Sequence, residues 1–156
     1  LCLIFMLATW VAIKTLHQWH PVWLLCLLFL VWAADVGAYA AGKTLGRHKL
    51  APRVSPGKTW EGLLGGLITA VVCMLIAAYL ANYWPQPWWL IIPSTVLVAL
   101  ISVHGDLLIS LLKRQEGTKD TGHIFPGHGG MMDRIDSLAA AAPFFTLAVD
   151  GWQQYL

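Results

Sequence analysis

The sequence predicts an all-α membrane protein, a polytopic bundle of about five transmembrane helices with its polar loops gathered on one face. Three observations lead there. Hydrophobic residues make up 58% of the 156-residue chain and charged residues only 12%, roughly half the charged share of an ordinary soluble domain. Mean hydropathy is +0.64. The apolar residues also fall into runs near the ~20 helical residues that cross a hydrocarbon core of about 30 Å. Such a composition excludes a disordered chain, which needs low hydrophobicity and high charge. It also excludes a soluble globule, whose surface it could not cover with polar groups. With a formal net charge of only +2, no nucleic-acid partner is expected.

The first run, Leu1 to Leu16, is apolar from its opening residue, with no Met, charged leader or cleavage pattern before it. It reads as the start of the C-terminal portion of a longer polypeptide rather than as a signal peptide. His17 to Pro21 turns the chain into a second span, Val22–Ala41. A third, Glu61–Ala81, ends at the Pro/aromatic turn Asn82–Pro87. Trp88–Leu112 and Asp133–Gly151 complete the series. Residues 1–156 are expected to form a single membrane-embedded domain. Trp19, Trp23, Tyr83, Trp84, Trp88 and Trp89 cluster at span ends, where aromatic belts form. Cys2, Cys26 and Cys73 lie inside apolar runs with no CxxC spacing, as small buried hydrophobes do.

The basic residues give orientation. Of ten Lys and Arg, five (Lys43, Arg47, Lys49, Arg53, Lys58) follow the second span and four (Lys113, Arg114, Lys119, Arg134) lie in or beside the loop after the fourth. Both loops belong to one side, and only Lys14 lies elsewhere. The positive-inside rule makes that side cytoplasmic.

Gly37 to Thr44 reads GAYAAGKT, a formal match to the P-loop pattern GxxxxGK[ST]. A P-loop needs a strand, a phosphate-wrapping turn and then a helix. Here a continuous lipid-length helix precedes the match, so Gly37, Gly42 and Gly46 are read as close-packing or helix-end positions. Gly62 and Gly66 make a second small-residue face.

Acids inside spanning helices cost a few kcal/mol and mark function by default. Asp35 lies in the second span, Asp106 in the fourth and Asp136 near the start of the fifth. Asp106, Ser110 and Lys113 share one helical face, as do Asp133 and Asp136. Two readings fit this spacing. Carboxylates from two helices could converge on one hard cation, and oxygen donors without a His/Cys cluster favour Mg²⁺. Alternatively, Asp106, Lys113, Asp133 and Arg134 form an internal salt-bridge network. The intervening loop carries Gly117, Gly122, Gly127, Gly129, Gly130 and Pro126. Glycines there let backbone N–H groups approach a ligand, and Lys113, Arg114, Lys119 and Arg134 supply charge for phosphates. His123 and His128 are either donors or solvated loop residues, and His48 reads as an ordinary loop residue. The basic loop Lys43–Lys58 is either a second phosphate surface or topogenic charge that also attracts anionic lipid.

The stretch Ser110-Leu-Leu-Lys113-Arg114, Lys119-Asp120-Thr-Gly122, Phe125-Pro126-Gly127-His128-Gly129-Gly130, Asp133-Arg134-Ile-Asp136 runs 27 residues without a gap. It resembles the signature of the phosphatidate cytidylyltransferases, or CDP-diacylglycerol synthases. Upstream, Asp35-Val-Gly-Ala-Tyr39, Gly46-Arg47-His48-Lys49-Leu50-Ala-Pro52 and Val54-Ser55-Pro56-Gly57-Lys58-Thr59-Trp-Glu61-Gly62 resembles the family's second block. The resemblance covers residues 30 to 140 and lacks the family's N-terminal spans.

That resemblance implies transfer of CMP from CTP to phosphatidic acid, with Mg²⁺ and a second cation such as K⁺, in a bacterial inner membrane with the site facing the cytoplasm. Asp106 and Asp133 would hold the metal, with Asp136 as a further ligand or orienter. Lys113 would neutralise a phosphate in the transition state and Ser110 orient it. Lys119, Arg134 and the turn His128-Gly129-Gly130 would bind triphosphate or departing pyrophosphate, alongside Arg114 and Asp120. Ser55 and Lys58 are candidates for the phosphatidate headgroup or CTP. Membrane lipids are expected partners, and the family's habit implies a homodimer. Two other functions remain open at this level. One is a CTP-dependent lipid-alcohol kinase, and the other is an intramembrane cation transporter relaying through Asp35, Asp106 and Asp136.

Overall fold

A computed structural model describes residues 2–52, 54–81, 88–115 and 132–153, with the side chains of 2–4, 81, 88, 113, 115 and 132–135 outside that description. It contains five helices: α1 (Cys2–Trp19), α2 (Pro21–Leu45), α3 (Trp60–Ala81), α4 (Trp88–Gln115) and α5 (Met132–Gln153). Among the described residues three helices, α2, α3 and α4, are long and apolar enough to cross a membrane. The sequence suggested about five spans. Five helices stand at the five segments expected, α1 with 18 residues and α5 with 22, opening on the polar run Asp133, Arg134 and Asp136.

Local signals account for the boundaries. Pro21 stands at the first position of α2, where its missing N–H costs nothing. His20 precedes it in extended conformation, and its Nδ1 accepts from Val22 N at 3.3 Å. α2 continues through the P-loop-like Gly37–Thr44 to Leu45, past the Ala41 expected. No phosphate-wrapping loop can form while that stretch is helical. Pro93 and Pro143 lie inside α4 and α5, as spanning helices allow where neighbours satisfy the freed carbonyls.

Between α2 and α3 the basic loop folds into a two-stranded antiparallel hairpin, β1 (Lys49–Ala51) and β2 (Ser55–Thr59). Lys49 pairs with Thr59 and Ala51 with Ser55, with an irregularity between them. A lone hairpin is marginal in water, and this one is fastened to α3. Trp60 N donates to His48 O at 3.0 Å. Thr59 caps α3 by accepting from Gly62 N at 3.0 Å.

The core lies where α1, α2, α4 and α5 meet. Leu16, Leu27, Leu30, Val98, Phe145 and Val149 are fully buried there. Trp152 stacks at 5.9 Å from Trp23 and edge-on at 5.9 Å from Phe145. Cys26 is buried within this core as a free thiol, as the sequence suggested. Outward faces are apolar too, including Phe29 and Trp32 of α2 and Ile68, Ile76 and Tyr79 of α3. Patches of that kind are a liability in water and the normal boundary in lipid.

α2 packs most extensively against α3, and small residues make this possible. A Cβ at Gly62 would stand 2.8 Å from Ala38 O, and one at Gly66 would stand 2.7 Å from Ala34 O. Thr69 Oγ1 donates across the interface to Ala33 O at 2.8 Å. The small-residue face formed by Gly62 and Gly66 is therefore a packing seam. Gly66→Ala should lower thermal stability in detergent by about 1–3 kcal/mol, the usual cost of forcing extra volume into a packed site. Gly151→Ala, with open space around it, should instead be neutral or stabilising by up to about 1 kcal/mol from helix propensity. Equal midpoints for the two variants would contradict the seam.

Candidate active site

The hairpin, the C-terminal half of α2, the start of α3 and the second half of α4 enclose a cavity of about 370 Å³. Asp35 and Tyr39 of α2, Ser55 and Lys58 of β2, and Val103 of α4 line it. Apolar walls with a few convergent polar groups are the usual make-up of a ligand site.

At its polar end the Lys58 ammonium forms an ion pair with Asp106 Oδ2. Ser110, one turn on, donates to Asp106 Oδ1 at 3.4 Å. Both carboxylate oxygens of Asp106 are therefore engaged. The two charged side chains are 27% and 29% exposed, so the pair is partly open to whatever fills the cavity. Asp35 lies close enough for its charge to interact with those of Asp106 and Lys58. Lys58 is half-buried on β2, where Pro56 is exposed, and its ammonium reaches Asp106.

α5 brings its first turns against the same part of α4. A Cβ at Gly105 would meet Ala140 and lie 3.5 Å from Asp136 O, so the helices touch beside Asp106. Asp136 is 5% exposed, and its Oδ1 accepts from Ser137 N at 2.7 Å and from Ser137 Oγ at 3.4 Å. Asp133 and Arg134 belong to the first turn of α5 and Lys113 to the last turn of α4. Their side chains, and with them the salt-bridge network suggested among Asp106, Lys113, Asp133 and Arg134, lie outside the described set. Arg114 is exposed near the end of α4. Lys119, Asp120, His123, His128, Gly129 and Gly130 lie outside the described residues. Among the described residues, no group of three or more His, Cys, Asp or Glu side chains stands at metal-binding spacing.

Three residues have roles that sequence reasoning missed. Asp35 was singled out as an intramembrane acid but given no place in the site, and it lines the cavity. Tyr39, one turn further along α2, lines the same wall, and the spacing of four was the available signal. His48, read as an ordinary loop residue, instead fastens the hairpin. Its Nδ1 lies 2.7 Å from Glu61 Oε1, and its backbone N–H donates to the same carboxylate at 3.3 Å.

A sequence model described as the Cytidylyltransferase family matches residues 1–151. The chain is 52% identical over 137 residues to a phosphatidate cytidylyltransferase of Haemophilus influenzae, covering 85% of this chain and 47% of that protein. It is 43% identical over 154 residues to the phosphatidate cytidylyltransferase of Pseudomonas aeruginosa, covering 96% and 57%. With that of Bacillus subtilis it shares 39% identity over 141 residues, covering 89% and 52%. The chain thus spans about half the length of the curated relatives it matches. Among solved structures it resembles an intramembrane enzyme for archaeal membrane lipid biosynthesis, with a TM-score of 0.56 and 23% identity. That likeness covers 83% of this chain and 85% of the other, and it shows the fold, a helical membrane bundle.

Proposed function

The chain belongs to the cytidylyltransferase family, and from that premise we propose that it transfers CMP from CTP to phosphatidic acid, releasing pyrophosphate and forming CDP-diacylglycerol. The observation that carries this reading is the junction of Lys58 and Asp106 at a nucleotide-sized cavity. It joins the upstream block to the helix that leads into the downstream one, and both residues lie within the stretch 30 to 140 that the resemblance covers.

The chemistry needs little acid–base help. A phosphate monoester has its second pKa near 6, so the phosphatidate headgroup is largely dianionic at neutral pH. One of its oxygens attacks the α-phosphorus of CTP. A new P–O bond forms, the bond from the α-phosphorus to the bridging oxygen breaks, and that electron pair leaves with pyrophosphate. The protein's task is to align two anions and neutralise their charge. Lys58 and Ser55 face the cavity for one phosphate, and Ser110 holds Asp106 in place. Lys113 on α4 would neutralise the transferring phosphoryl group. Lys119, Arg134 and His128-Gly129-Gly130 would take the pyrophosphate end, with Arg114 and Asp120 beside them.

The donor set suits a hard cation, because Asp106, Asp133 and Asp136 offer only oxygen ligands. Mg²⁺ would be held by Asp106, Asp133 and Asp136, with room in the charge balance for a second cation such as K⁺. When bound it would supply charge neutralisation for phosphate oxygens. The basic loops orient this face toward the cytoplasm, where CTP is available, while acyl chains approach between helices. A homodimer in the bacterial inner membrane completes the reading.

Purified protein given CTP and phosphatidic acid in mixed micelles should form CDP-diacylglycerol and pyrophosphate in equal amounts, and chelation of divalent cations should stop both. Absence of the lipid nucleotide in the presence of Mg²⁺ would refute the proposal.

A further inference from the structure

Asp35 is an acid within a spanning helix, where a carboxylate is costly and its retention marks a function. It is exposed, lines the cavity, and makes no hydrogen bond or ion pair with any described residue. Phosphates would be repelled by it. Part of any CTP bound there must offer it a hydrogen-bond donor instead. Tyr39 stands one turn away on the same wall, 68% exposed. Its hydroxyl accepts from Lys43 Nζ at 3.5 Å, and that ammonium lies 5.6 Å from the ring centroid. The wall thus presents a lone acceptor and an aromatic face together, while Lys58 and Ser55 mark the phosphate end of the same cavity.

Resting on the cytidylyl-transfer reading above, we infer that Asp35 is the residue that selects cytosine, accepting a hydrogen bond from the 4-amino group while the pyrimidine lies on Tyr39. Carboxylates are natural partners for that amino group. Uracil presents a carbonyl oxygen at the same position, which would face the carboxylate with no proton between them. An acceptor set against another acceptor in this way disfavours UTP relative to CTP. In UTP a carbonyl replaces the 4-amino group while N3, an acceptor in cytosine, carries a proton, so the discrimination lies in the contact at position 4. Asp35 is here a binding residue, and it takes no part in bond making.

The test compares CTP, UTP and dCTP in the purified protein and in Asp35→Asn. The native protein should prefer CTP over UTP. Asp35→Asn, nearly the same size and able to donate to a uracil carbonyl, should reduce the ratio of kcat/KM for CTP over UTP by about tenfold or more. Its ratio for CTP over dCTP should not move. If Asp35→Asn turns over too slowly to measure, displacement of labelled CTP by unlabelled UTP under the same conditions gives the same ratio. An unchanged CTP/UTP ratio, or a change confined to dCTP or to the Mg²⁺ requirement, would overturn the inference. Failure of the native protein to transfer CMP at all would instead sink the reaction on which it rests.

Discussion

Asp106→Asn is expected to reduce CDP-diacylglycerol formation by about 10³-fold or more while the protein still inserts and purifies as a single species. The substitution keeps the shape of the side chain and removes its charge. In the structure that carboxylate is the counter-ion of Lys58 and the acceptor of Ser110, and in the proposed reaction it is also a cation ligand. Losing one group that acts mainly on transition-state charge typically costs 10²–10³-fold, and Asp106 would act through more than one such contact. Stability should change far less. The ion pair is more than a quarter exposed on both sides, and partly solvated pairs contribute about 0–1 kcal/mol. A thousandfold loss of rate corresponds to about 4 kcal/mol. Activity and stability should therefore separate clearly when turnover and thermal midpoint are measured on the same preparation. A variant that retains near-native turnover would remove Asp106 from the site.

Lys58→Met should lower turnover by about 10²-fold or more, by removing the cation that the hairpin delivers to the cavity. Methionine keeps much of the length and apolar stem, so the hairpin should persist. Lys58→Arg should recover part of the loss, because the charge is restored with a different shape. The informative comparison is the double variant. Residues in direct contact show coupled rather than additive effects. Asp106→Asn combined with Lys58→Met should therefore be no worse than Asp106→Asn alone, read as kcat/KM for CTP and for phosphatidic acid. Full additivity of the two losses would mean that the pair does not work as a unit.

The helices and the charged face were legible because lipid imposes a simple length and polarity code. Asp106 stood out as an acid within a span, and Ser110 and Lys113 followed from helical spacing. The hairpin was not legible. Its second strand is Ser55-Pro-Gly-Lys-Thr59, and Pro and Gly are poor strand residues that normally signal a loop. It persists because Thr59, Trp60 and Glu61 fasten it to α3, a tertiary effect that no local propensity carries. Lys58 and Ser55 were candidates through resemblance, but their meeting with Asp106 and Asp35 depends on how α2, β2 and α4 pack. Asp35 was noticed for its cost in lipid, yet only the cavity shows which residues it accompanies. Gly62 and Gly66 were read as a packing face, and the close approach of α2 bears that out. The length of α2 was underestimated because Gly42 and Lys43 resemble a helix end, whereas the helix runs to Leu45.

The most direct measurement follows two labels of CTP into lipid. Protein is incubated with phosphatidic acid, Mg²⁺ and CTP labelled either at the α- or at the γ-phosphorus, and the organic phase is counted. The α-label should appear in the lipid fraction as CDP-diacylglycerol, with all γ-label left in the aqueous phase as pyrophosphate. Label from the γ-position in lipid, with CDP left in the aqueous phase, would contradict it and identify a phosphoryl-transferring kinase in its place.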